Sequence, residues 1–176
     1  LRGKHHQRNH CGNQSTGLKM IRLQIIKAGN PTNDQLERFK QYASVPSDSR
    51  DALLMNCLQR ALLAVQESAD VALIPCTFRL SVNDVKAFET FRLYQGGQSI
   101  ADAVDSETGS TADVKCTDGL VTSKRHYKSI VITYDNVVSP YDVARFEPIA
   151  WQYATALYDG EDSKTLQNIL NQVVTC

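Results

Sequence analysis

The sequence predicts an α+β fold: a mainly helical core of about four helices, with a β-rich insertion between the second and third helices. Two observations predict it. Apolar residues recur with a helical period before residue 70 and again after residue 139. Over about residues 71–136, short runs of alternating apolar and polar residues are separated by glycine and aspartate clusters. The 176 residues are enough to bury one substantial core.

Residues 1–19 differ from the rest of the chain in charge. They contain four basic residues, no acidic residue and three of the four histidines. The rest of the chain keeps 15 basic against 19 acidic residues, so its net charge is −4 although the whole chain is neutral. With few apolar side chains to bury, residues 1–19 are expected to be a disordered basic leader. Because an amphipathic segment begins at Met20, this leader is also expected not to be native. Residues 20–176 are then expected to form a single α+β domain.

The first half of the chain predicts one strand and two helices. An alternating pattern predicts a short strand or extended arm at Ile21, Leu23 and Ile25. Thr32 and Gln35 have the spacing of a capping box, which predicts the start of a first helix. A second helix is predicted over about 49–69, where seven apolar residues keep a helical period.

The β-rich insertion is predicted from three short alternating segments. These segments cover residues 78–82, 91–93 and 130–134. Turn-forming residues separate them, at 96–97, 105–111 and 118–119. We therefore expect a β-hairpin or a small sheet between the helical parts.

The last part of the chain predicts two further helices. Ser139 followed by Pro140 is typical of a helix start. Because an internal proline costs about 3 kcal/mol in a helix, Pro148 is expected to divide this segment into a turn at 140–146 and a helix from 147 to 158. Asp162 or Ser163 is expected to cap a final helix.

The sequence contains no motif that predicts catalysis. The five cysteines include no C-x-x-C pair, and His126 is the one histidine after the leader. His5, His6, His10 and Cys11 are zinc-type ligands, but no predicted helix or hairpin would hold them in a tetrahedron. We therefore expect no enzyme activity, no catalytic residue, no metal and no cofactor.

Two groups of residues are candidates for binding. Tyr127 lies among three basic residues, a combination that can contact DNA or a protein partner, at Lys124, Arg125, Tyr127 and Lys128. The other interpretation of this cluster is a solvated strand edge, where lysine discourages unwanted pairing. The opening strand is a candidate inter-subunit contact through Ile21, Leu23 and Ile25. It can equally be an edge strand of the chain's own sheet.

From Met20 onward the sequence resembles the head-to-tail connector, or neck adaptor, proteins of tailed bacteriophages. The resemblance rests on residues 34–40 (DQLERFK), the helix from Asp51, Leu93-Tyr94, residues 130–134 (IVITY) and residues 148–158 (PIAWQYATALY). It implies a four-helix core with a β insertion. The insertion over 83–127 is longer than the family's, and Pro148 also departs from its pattern.

The resemblance further implies a structural virion protein, assembled in the host cytoplasm, that forms a ring at the phage neck. Such a ring joins the portal and capsid to the tail and lets DNA pass. The implied partners are other copies of the chain, the portal protein, a tail or second neck protein, and double-stranded DNA without sequence specificity; no membrane is implied. The alternative is a non-catalytic bacterial binding module that recognises a protein through its β insertion. A metal-dependent hydrolase or nuclease has the least support, because no set of ligands is visible.

Overall fold

The structure is a computed structural model that describes residues 20–45 and 50–173. The predicted leader, residues 1–19, and the predicted start of the second helix at residue 49 lie outside the described residues. Within those ranges there are four helices and seven strands. In chain order they are β1 (Ile21–Ala28), α1 (Asn33–Ala43), α2 (Asp51–Ala69), β2 (Cys76–Val85), β3 (Thr90–Arg92), β4 (Asp102–Asp105), β5 (Val114–Thr117), β6 (Leu120–Ser123), β7 (Tyr127–Asp135), α3 (Pro140–Asp159) and α4 (Ser163–Asn171).

The larger sheet has four antiparallel strands in the order β1-β2-β7-β4. Its register aligns one apolar row across all four strands, consisting of Leu23, Leu80, Ile132 and Ala103. The adjacent row lies on the opposite face and is polar, consisting of Gln24, Arg79, Thr133 and Asp102. The sheet is therefore amphipathic, as expected for an antiparallel sheet with one covered face.

The apolar face of this sheet and the helices form one hydrophobic core. Helix α2 packs mainly against α3. The core's largest fully buried side chains come from both layers and include Phe39, Leu54, Leu58, Leu62, Phe78, Leu80, Ile130, Ile132 and Tyr134. No helix of the described ranges is long and apolar enough to cross a membrane.

The predicted fold class, a helical core with a β insertion between the second and third helices, is wrong. The helices lie towards the two ends of the chain, and the strand-rich middle forms two sheets. Strand β1 precedes α1 yet pairs with β2, so the larger sheet includes a strand from outside the supposed insertion. Because Phe78, Ile132 and Tyr134 are fully buried in the same cluster as the helices, the sheet is a layer of the core itself.

The smaller sheet has three antiparallel strands in the order β3-β6-β5. A two-residue turn joins β5 to β6, with φ of 50° at Asp118 and 77° at Gly119. Two successive positive φ angles are typical of hairpin turns, so the turn predicted at 118–119 is confirmed. A Cβ at position 119 would lie 2.5 Å from the carbonyl oxygen of Gly97, so glycine is required for this close approach.

Helix α3 is continuous, which contradicts the predicted break at Pro148. Proline removes the hydrogen bond to the carbonyl four residues earlier, at Ala144. Both Pro148 and Ala144 lie on the exposed side of the helix, where water can bind the freed carbonyl. The predicted start is confirmed, because the Ser139 side chain accepts a hydrogen bond from Asp142 N.

The phenol of Tyr134 is buried beside the segment that follows β3. Its ring stacks on Phe78 with centroids 5.3 Å apart. Its oxygen donates to Tyr94 O (3.3 Å) and accepts from Tyr94 N (3.2 Å). Burial raises the pKa of the Tyr134 phenol above its ordinary value.

This raised pKa predicts a loss of stability in alkali. The folded state binds the phenol proton more tightly than the unfolded chain, whose tyrosine titrates near pH 10, so the stabilisation is complete below about pH 10 and is lost above it. We expect the urea midpoint of Tyr134→Phe to fall less than that of the wild type between about pH 8 and 11. The control is Tyr141→Phe, because Tyr141 is exposed. Parallel pH profiles for Tyr134→Phe and the wild type would contradict the prediction.

Candidate assembly interface

Strand β1 is an edge strand whose apolar side chains are incompletely covered. Ile21 and Ile25 are 41% and 38% exposed, whereas their partners on β2, Val82 and Phe78, are fully buried. All four side chains point to the same face of the sheet, because directly paired residues share a face. On β1 the core thus covers Leu23 in part and leaves Ile21 and Ile25 open to solvent.

The unpaired backbone groups of β1 belong to the same residues. Asn83 N donates to Met20 O (3.1 Å), which makes Met20 and then Arg22 and Gln24 the residues that bond to β2. In an antiparallel ladder the intervening residues point their N–H and C=O groups the other way. Ile21, Leu23 and Ile25 therefore present both aliphatic side chains and free backbone groups at this edge.

The opposite edge of the larger sheet is closed by the chain itself. On β4, the Ala103 carbonyl accepts from Ala112 N (2.8 Å), and Asp105 N donates to Ser110 O (2.9 Å). Among the described residues, β1 is therefore the open edge of this sheet. The structure has β1 as an edge strand of the chain's own sheet, and its inter-subunit role stays a prediction.

The predicted basic cluster lies where β6 leads into β7. Lys124 pairs with Asp113 (2.9 Å), and Lys128 pairs with Glu107 (2.5 Å). The hydrogen bond that Lys128 donates to the Glu107 carboxylate raises the pKa of Lys128, which keeps this lysine charged. The Tyr127 hydroxyl accepts from Asp113 N (2.6 Å). Three of the four predicted residues therefore contact Asp113 or Glu107. Arg125 is exposed and makes no such contact.

An apolar cleft of about 570 Å³ lies between α1, the start of α3 and the loop before β2. Leu73, Val138 and Val143 contribute to its lining. A bidentate ion pair forms part of its wall: Arg38 donates to both carboxylate oxygens of Glu147, at 3.2 and 3.0 Å. The sequence gives no sign of this cleft, because Arg38 and Glu147 are 109 residues apart.

The side chains of the cleft differ in their exposure to solvent. Glu147 is buried, whereas the Arg38 side chain is 37% exposed. Arg38 also pairs with Asp34 one helical turn earlier. The hydrogen bonds that Arg38 donates to the Glu147 carboxylate raise the pKa of Arg38, so the guanidinium stays charged. The three ionised groups together carry one net negative charge.

Residues 20–45 and 50–173 contain no group of three or more histidine, cysteine, aspartate or glutamate side chains placed to hold a metal ion. His126 lies 3.3 Å from Asp84, and both side chains are exposed. The features that the structure does bring together are surfaces for contact: an open strand edge and an apolar cleft.

No protein-family model matches the sequence. Comparison with curated proteins also finds no match. Comparison with solved structures does find matches, and three of them come from gene transfer agent particles. A chain in the neck of an empty particle, computed with C6 symmetry, superposes with a TM-score of 0.57 at 12% identity, covering 86% of this chain and 94% of that chain.

Two further matches come from native gene transfer agent particles. One is in the neck computed with C12 symmetry, with a TM-score of 0.53 and 14% identity, covering 84% of this chain and 94% of that chain. The other is in the virion, with a TM-score of 0.51 and 16% identity, covering 85% and 93%. The fold is that of these neck proteins. The resemblance to phage neck proteins noted in the sequence is therefore confirmed as a likeness of fold.

Proposed function

We propose that the chain is a structural protein of a phage-like particle that assembles into a ring at the neck. The observation that carries the proposal is the fold, shared over more than four-fifths of the chain with proteins of gene transfer agent necks. Those necks were computed with C6 and C12 symmetry, which fits a subunit that repeats around an axis. In this proposal the chain has no catalytic role.

The open edge of β1 supports a repeating contact. A strand edge with free backbone groups can add a strand from an adjacent molecule, and the exposed side chains supply apolar area. We propose that Ile21, Leu23 and Ile25 contact the adjacent copy. The portal protein and a tail or second neck protein are the proposed partners above and below the ring, within the virion and, during assembly, in the host cytoplasm.

The charge distribution supports passage of DNA rather than tight binding. After residue 19 the chain has four more acidic than basic residues. Affinity for duplex DNA comes largely from lysine and arginine contacts to phosphate, and Lys124 and Lys128 are already paired with carboxylates. A ring of such subunits would hold few phosphates. Arg125 and Tyr127 are the proposed points of weak contact with DNA or a partner.

Ring formation is the test of this proposal. We expect closed rings by native mass spectrometry and negative-stain electron microscopy at high protein concentration, or on addition of a cognate portal protein. A protein that stays monomeric in both settings would overturn the proposal. A stable one-to-one complex with a protein from outside the virion would instead favour a binding module.

A paired set of variants tests the role of β1. Ile21→Pro with Ile25→Lys removes an outward N–H and places a charge at the open edge, so we expect ring formation to be lost. The control is Arg22→Ala with Gln24→Ala, which alters the same strand on its polar face and should leave the rings intact. Circular dichroism of both variants checks that the subunit is folded. Unchanged rings in the first variant would show that β1 is not the contact.

A further inference from the structure

An exposed phenylalanine, Phe88, lies in the loop that joins β2 of the larger sheet to β3 of the smaller sheet. Phe88 is 79% exposed, the largest value among the chain's exposed hydrophobic side chains in the described ranges. Its φ is 62°, in the left-handed region that bulky residues avoid. Residues held in such conformations persist where the surroundings impose them, and they concentrate at binding sites.

Backbone hydrogen bonds of Phe88 and of the next residue, Glu89, fix the conformation of Phe88. Phe88 N donates to Ser123 O (2.7 Å), and Ser123 N donates to Glu89 O (3.0 Å). The Glu89 carboxylate in turn accepts from Lys86 N (2.9 Å). The loop is therefore held to β6 by its backbone, and the phenyl ring is presented to solvent from a fixed position.

The apolar cleft lies at the other end of the same sheet. Phe88 follows the last residue of β2, whereas Leu73 and Pro75 in the cleft wall precede its first residue. Strand β2 has ten residues and so spans about 30 Å. Phe88 cannot reach the cleft of its own chain, but it can reach the cleft of another copy.

The two surfaces also differ in charge. At the cleft, Asp34, Arg38 and Glu147 carry one net negative charge. Around Phe88, Lys86 and Arg125 balance Asp84 and Glu89, so these four groups carry no net charge. The Lys86 and Arg125 side chains are exposed and form no ion pair with a described residue, so they are available to the negative charge at the cleft of another copy, and such pairs favour the correct orientation of an apolar contact.

We propose that Phe88 of one copy inserts into the cleft between α1 and α3 of the adjacent copy. The inference rests on the proposed ring and names a contact that holds it together. Because the projecting ring and the cleft are different surfaces at opposite ends of one chain, the contact is head-to-tail and repeats from copy to copy. An aromatic side chain in an apolar pocket is the usual form of an interface anchor. A cleft of about 570 Å³ has the size of a pocket that holds a ring system.

Two variants test the insertion from its two sides. Phe88→Gly removes the ring and suits the positive φ, so the subunit should be at least as thermally stable as the wild type while subunit association weakens at least 30-fold, roughly the loss of one interface anchor. Ala144→Phe fills the cleft from an exposed position on α3 and should weaken association similarly. The control is Leu120→Ala, which removes another exposed hydrophobic side chain (51% exposed) and should leave association unchanged.

A cross-linking experiment detects the contact directly. Phe88→Cys and Ala144→Cys proteins are mixed and treated with a short bis-maleimide, and each variant treated alone gives the background from the native cysteines. We expect a cross-linked dimer in the mixture, with the link mapped by mass spectrometry to positions 88 and 144. Rings that persist in Phe88→Gly without this cross-link would overturn the insertion and leave the proposed ring standing. A monomeric wild type without the cross-link would overturn both.

Discussion

Replacing Gln66 by leucine is expected to lower the free energy of unfolding by about 3–5 kcal/mol, because it leaves several buried polar groups without partners. Gln66 is fully buried on α2. Its carbonyl accepts from Leu73 N (2.8 Å) and Ile74 N (3.2 Å), and its amide donates to the buried Gln95 (3.1 Å). One side chain thus holds the turn between α2 and β2 against the segment that follows β3.

Leucine has nearly the same size as glutamine but can replace none of these bonds. Each unsatisfied buried group costs about 1–3 kcal/mol, against a total stability of about 5–15 kcal/mol for a typical domain. For a chain of this length the melting temperature should fall by about 10 °C. Chemical and thermal denaturation of the purified variant measure both quantities.

The matched control is Gln167→Leu on α4. Gln167 is exposed, and within the described ranges its amide donates a single hydrogen bond, to Asn171 of the same helix (3.2 Å). The same chemical change should therefore alter stability by no more than about 0.5 kcal/mol. Equal effects of the two substitutions would contradict the role given to the buried amide.

Gln66 illustrates what the sequence can indicate about this fold. Helix α2 was predicted correctly because Leu54, Leu58 and Leu62 follow one period over many residues. Gln66 continues the same face four residues after Leu62, and a polar residue at an apolar position is a signal for a buried hydrogen-bonding group. Its partners could not be predicted, because they depend on how the following strands fold back.

The errors in the predicted fold class arise from the strands. Strands β4, β5 and β6 have four residues each, too few to give a clear alternating pattern. Strand β1 was recognised, but its partner β2 lies beyond two helices, and no local pattern contains that pairing. The long helical periods therefore outweighed the strands in the prediction, although the larger sheet forms a layer of the core.

The candidate interface was predictable in part. The alternation at Ile21, Leu23 and Ile25 predicted the strand that forms the open edge. It did not distinguish an edge strand of the chain's own sheet from an interface strand, because both have the same pattern. Neither the cleft nor the conformation of Phe88 has a local signal. The cleft joins α1 to α3 across the whole chain, and the positive φ of Phe88 is imposed by its bonds with β6.

The second large prediction concerns the ion pair between Arg38 and Glu147. Removing one of the two charges is expected to lower the free energy of unfolding more than removing both. Arg38→Met would leave the Glu147 carboxylate buried without a cation. Breaking a buried pair in this way costs about 3–5 kcal/mol, and we expect about 2–4 kcal/mol here because the Arg38 side chain is 37% exposed.

The double variant Arg38→Met with Glu147→Leu separates this cause from a simple loss of contact between α1 and α3. Replacing both charges by apolar side chains of similar size is often close to neutral, so the double variant should be more stable than Arg38→Met alone. Urea denaturation of the wild type, both single variants and the double variant gives the coupling energy between the two positions. If the two substitutions are simply additive, the ion pair is not what joins α1 to α3 at the cleft.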